Sequence, residues 1–128
     1  MADGFEYEAN PRQAEKLLRN LKLDGVGVKS VGSPGVKPTG EQLDGDQLLE
    51  AGKTTPNRAF VTRANYPSSD RPELQFGAKE VCSWMSAPAE LEVSALRRLG
   101  GYVVGHQQMV FRYPWQIVSN VDTYGDTD

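Results

Sequence analysis

The chain has 128 residues, 38% of them apolar and 24% charged, with 14 Lys and Arg against 17 Asp and Glu for a net charge of -3. A chain of that length holds one domain with one modest core, and its near balance of charge excludes a global electrostatic drive toward nucleic acid. The longest run free of Asp, Glu, Lys and Arg, residues 99–111, is well short of the about 20 apolar residues that a membrane span needs.

Residues 11–23 carry the first clear period. Asn10 is placed to cap the first turn, Pro11 suits the first helical position, and Gln13 completes a capping-box pattern. Ala14, Leu17, Leu18 and Leu21 recur at helical spacing, which puts Arg12, Lys16 and Arg19 on the opposite side and Lys22 on the flank. Four cations against Glu15 make this helix locally basic. Such a face is either merely solvated or a contact for phosphates. Glycines and prolines from Gly25 to Gly45 then predict an irregular linker over residues 24–52, with at most one helical turn at residues 47–51.

Residues 56–66 are expected to be helical, with Phe60, Val61 and Ala64 on one side, until Pro67 stops the helix. Asp70 is a candidate cap for the next helix, with Glu73 at its third position and Leu74, Ala78, Val81, Cys82 and Met85 as its apolar stripe. A further helix from about Pro88 places Val93, Leu96, Leu99 and Val103 inward, with Arg97 and Arg98 at its side. Gly100 and Gly101 weaken it by about 1 kcal/mol each relative to Ala, and Gly105 is expected to end it in the left-handed conformation. Residues 109–113 and 116–124, rich in Val, Ile, Tyr, Phe and Trp, read as short strands. The expected fold class is therefore α+β, mostly helical with short C-terminal β-strands. Because the last strand has no partner after it, the domain is expected to be truncated.

The motifs that carry chemistry are few. Gly52, Lys53 and Thr54 spell the end of a phosphate-binding loop, but Gln47 stands where that loop needs a glycine and no strand precedes it, so nucleotide hydrolysis is not expected. A single Cys82 and a single His106 exclude an internal disulfide and the usual zinc sets. Cys82 falls on an apolar stripe and reads as a packed thiol, and His106 as a helix-end residue. Asp126 and Asp128 are hard oxygen donors of the kind Mg²⁺ takes, but two carboxylates do not make a two-metal site. The start of the chain, with Asp3, Glu6 and Glu8, lacks the basic and apolar stretches of a secretory signal. An intracellular protein, cytoplasmic or nuclear, is expected.

Five segments, in order, resemble one family. Tyr7-Glu8-Ala9-Asn10-Pro11-Arg12-Gln13-Ala14-Glu15 is similar to the "YEADPRHAE" helix after the polymerase palm of copia-type retrotransposon Pol polyproteins, and Ser33-Pro34-Gly35-Val36 to the "TPG" loop that follows it. Residues 64–80, with Asp70-Arg71-Pro72-Glu73 at their centre, look like the family's "RPD" or "RPE" turn between two helices. Leu96-Arg97-Arg98-Leu99-Gly100-Gly101-Tyr102 resembles its "LKRLGRYLKG" helix end, and residues 121–128 its "YSDADWAG" strand, which opens the ribonuclease H domain. The resemblance implies a thumb-like helix and irregular linker over residues 1–52, a helical connection region over 53–108 and the start of a ribonuclease H-like domain over 109–128.

By that resemblance Asp126 matches the first catalytic, metal-binding carboxylate of the nuclease, whose Mg²⁺ belongs to an intact parent, while the fragment itself needs no cofactor. The polymerase's paired aspartates and the remaining nuclease carboxylates have no counterpart here, so neither activity is expected. The implied role is to hold an RNA/DNA hybrid, with Arg12, Lys16, Arg19, Lys22, Arg97 and Arg98 on its phosphates and no contact with a membrane. Pro67 replaces a usual leucine, and Gly101 and Val104 replace basic or helix-favouring residues, as in a decaying copy. A helical protein-interaction module and a non-functional retroelement remnant are the alternatives.

Overall fold

In the computed structural model, which describes residues 3–25 and 27–125, five helices alternate with irregular chain and one strand lies at each end: β1 (Gly4–Glu8), α1 (Pro11–Asn20), α2 (Gly40–Asp44), α3 (Ala51–Ser68), α4 (Pro72–Ser83), α5 (Glu90–Gly105) and β2 (Val110–Pro114). The fold is α+β and mostly helical. Asn10 starts α1 as its spacing predicts, its side-chain oxygen accepting from the Arg12 amide at 3.0 Å. The helix ends three residues earlier than expected. The Leu23 amide donates to Leu18 at 2.8 Å and the Lys22 amide to Arg19 at 3.1 Å, a Schellman pair that requires a left-handed residue, here Lys22 at φ 57°.

The linker is more ordered than its composition suggests. Thr39 and Gln42 form a reciprocal capping box that starts α2, whereas the turn expected at residues 47–51 does not form: residues 47–50 are non-helical and Ala51 already opens α3. Leu48 bridges Ala89, the Leu49 amide donates to Pro88, and the Glu90 amide donates to Gln47. Farther back, the Val31 amide donates to the Gly101 carbonyl, so the chain is laid along α5.

Two prolines expected to bound α3 lie inside it. Pro56 and Pro67 fall near its two ends, where each forfeits one backbone hydrogen bond without breaking the core-facing middle. Arg58 ties α3 across to the end of α4, its Nε donating to Met85 O at 2.8 Å and its Nη2 to Ser86 O at 3.2 Å. Asp70 does not cap α4. It accepts from the Asn10 amide at 3.0 Å, and the buried Arg71 precedes the helix instead, its Nε donating to Glu73 Oε1 at 2.8 Å.

One apolar cluster unites all four long helices: Leu17 and Leu18 of α1, Val61 and Ala64 of α3, Leu74, Ala78 and Val81 of α4, and Leu96, Leu99, Tyr102 and Val103 of α5. The helices on the two sides of the linker therefore share a core. Gly100 serves that packing. A Cβ there would lie 2.6 Å from Leu23 Cδ1 and 2.7 Å from Leu21 Cδ1, so the glycine that weakens α5 also lets the end of α1 approach it. At its C-terminus α5 is closed by His106 rather than by a left-handed Gly105: the His106 Nδ1 lies 2.9 Å from Tyr102 O and the ring stacks on Tyr102 at 4.2 Å.

The β-structure differs most from expectation. β2 forms where residues 109–113 predict a strand, but its antiparallel partner is the N-terminal β1, with Phe5 opposite Tyr113 and Tyr7 opposite Phe111. The second strand expected, over residues 116–124, does not form, because no other strand among the described residues pairs with it. Ile117, Val118, Val121 and Tyr124 are exposed there. Among the described residues no helix is long and apolar enough to cross a membrane.

Candidate nucleic-acid interface

Burial of Ala14, Leu17 and Leu18 fixes the rotation of α1. Lys16 and Arg19, three residues apart, then emerge on the side where α1 lies beside α3. From α3 comes Arg63, whose Nη1 donates to Asn20 Oδ1, and one turn on comes Tyr66, which is 59% exposed. These side chains, with Gln13 and Asn20, line an open groove of about 500 Å³ floored by Leu17. Among the described residues no Asp or Glu lines it. Three guanidinium and ammonium groups thus converge beside an accessible aromatic ring, the combination that suits a phosphate backbone with a neighbouring base or sugar.

The other cations expected at a phosphate contact are divided. Lys22, just past α1, and Arg97, on α5, line a second groove of about 450 Å³ that shares Asn20 with the first. Arg12 is exposed on the first turn of α1 and lines neither groove. Arg98 points elsewhere: its Nη2 donates to Ser33 Oγ at 2.9 Å and its Nε is buried, so it pins the linker to α5. Asp126 lies outside the described residues, as does Asp128. Among the described residues no three of His, Cys, Asp and Glu gather as a metal-holding group.

Sequence reasoning missed Arg63 and Tyr66. They recur at helical spacing within a segment whose apolar face is legible, but only the packing of α3 against α1 brings them to Lys16 and Arg19. Away from this face, Glu92 is fully buried in α5 and neither carboxylate oxygen has a hydrogen-bond partner of good geometry. Burial raises its pKa above the ordinary carboxylate range, opposed by Asn57, the Ala89 amide and Arg58. Burial, followed by the neighbouring Glu92, likewise raises the pKa of the Cys82 thiol, in keeping with a packed rather than reactive cysteine.

No family model, no curated protein and no solved structure matches the chain.

Proposed function

We propose that the chain is a non-catalytic, nucleic-acid-positioning segment of a copia-like Pol polyprotein, holding an RNA/DNA duplex by its phosphates. The observation that carries this reading is the convergence of Lys16, Arg19 and Arg63 beside Tyr66 in a groove that no acidic side chain lines among the described residues, despite an overall charge of -3. Contacts of that kind position a duplex without reading bases. Any polymerase or ribonuclease H chemistry, with its Mg²⁺ and Asp126, belongs to an intact parent, and the setting of such a protein is the cytoplasm or nucleus.

Titration of purified chain with a labelled RNA/DNA hybrid at several salt concentrations tests it. Affinity should fall steeply with salt, and reversing Lys16, Arg19 and Arg63 to Glu should reduce the slope of log K against log[salt] by about 0.9 for each phosphate that the variant no longer neutralises. Salt-insensitive binding, or an unchanged slope in the triple variant, would overturn the assignment.

The exposed apolar residues Trp115, Ile117, Val118, Val121 and Tyr124 favour a second reading, a protein-interaction module. Pulldown with and without added nuclease separates the two: partners retained after nuclease treatment support the module.

A further inference from the structure

The second groove has a composition that duplex positioning does not use. Its apolar lining includes the buried Leu96, the half-buried Phe60 and Val93, and the exposed Pro56. Its rim is charged, with Lys22 from the turn after α1, Lys53 from the first turn of α3, and Arg97 and Glu90 from α5. Three cations against one carboxylate leave a surplus that matches a phosphate monoester, which carries about -1.5 to -2 at pH 7. Lys53 is only loosely engaged, 3.7 Å from Glu50 with both side chains largely exposed, so its ammonium can turn to a ligand. The start of α3 adds the positive end of its helix dipole, offset in part by the exposed Glu50 carboxylate, which supplies no side-chain cap. At about 450 Å³ the groove lies within the range of small-molecule sites.

We propose that this groove binds a nucleoside monophosphate, its base lying against Phe60 and its phosphate held by Lys22, Lys53 and Arg97. Glu90 then accepts from a sugar hydroxyl or exocyclic amine, and its charge disfavours longer phosphate chains. The assignment stands apart from duplex binding, since Asn20 is the one lining residue that the groove shares with the groove of Lys16, Arg19 and Arg63. No bond is made or broken, in keeping with the incomplete phosphate-loop pattern around Gly52 and Lys53.

The test is titration of the isotopically labelled full chain with adenosine monophosphate, adenosine and inorganic phosphate, followed by amide chemical shifts. Adenosine monophosphate should saturate with a dissociation constant at or below about 1 mM, perturbing the amides of Gly52, Lys53, Phe60, Val93 and Arg97. Adenosine and phosphate should each bind at least roughly tenfold more weakly, as should adenosine monophosphate to the Lys53→Gln, Arg97→Gln double variant. The variant's thermal melt should match that of the parent chain. Competition by a 5′-phosphorylated oligonucleotide, but not by its unphosphorylated form, would identify a strand end as the source of the ligand; absence of competition would identify the free mononucleotide. Equal affinity for adenosine or for phosphate alone, undiminished binding by the folded double variant, or no saturation by about 10 mM would overturn the proposal. Duplex binding that persists alongside any of these would leave the phosphate-backbone reading intact.

Discussion

Glu92 is the residue whose environment most opposes its chemistry. It lies buried at the third position of α5, within electrostatic reach of Asn57 and Arg58 of α3 and Cys82 of α4, with no solvent contact. A carboxyl whose folded pKa is raised contributes its stability below the unfolded value, near pH 4.3, and loses it as pH rises from there through the folded pKa. The protein should therefore be less stable at pH 7 than at about pH 4 on account of this group. Thermal melts of Glu92→Gln against the parent should show the variant melting higher at pH 7 and the advantage vanishing near pH 4. Equal melting temperatures at both values would show that the carboxylate is satisfied in the native protein.

At the scale of elements, the ends of helices decided more than their middles. The apolar spacing of α1 was legible, but its stop was not, because Lys22 is a poor residue for the left-handed position that the Schellman pair imposes. Lys22→Gly should relieve that conformation and stabilise the protein by about 1 kcal/mol, raising the melting temperature by roughly 4 °C. A lower melting temperature would mean that the Lys22 side chain contributes more packing than its backbone loses. The start of α4 follows the same logic. Asp70 has the right offset to Glu73, yet Asn10 at the start of α1 takes Asp70, and Arg71 takes Glu73. Local spacing offers partners, and tertiary neighbours compete for them.

At the scale of the whole molecule, the irregular segment between α1 and α3 does not separate two units. Leu17 is buried in the same cluster as Val61, Val81 and Leu99. Leu17→Ala should cost about 2–5 kcal/mol, a large share of the roughly 5–15 kcal/mol typical of a domain. It should also lower hydrogen-exchange protection in α1 and α5 together, whereas a fall confined to α1 would mark two loosely joined parts. The two strands close the chain in the same way: Phe5 stacks on Tyr113 at 4.8 Å, linking residues from opposite ends of the chain.

The amino-acid sequence by itself determined the helical class, the inward faces of α1, α4 and α5, the Asn10 cap and the packed character of Cys82, because each depends on spacing within one element or on residue type. It also determined that α1 is basic. Only the tertiary structure decided that Lys16 and Arg19 line one groove with Arg63 and Tyr66, that Lys22 and Arg97 line another with Lys53, that Arg98 is taken by Ser33, and that β2 pairs with β1. Those outcomes turn on which helix packs against which and on pairings across long stretches of chain, and no local period encodes them.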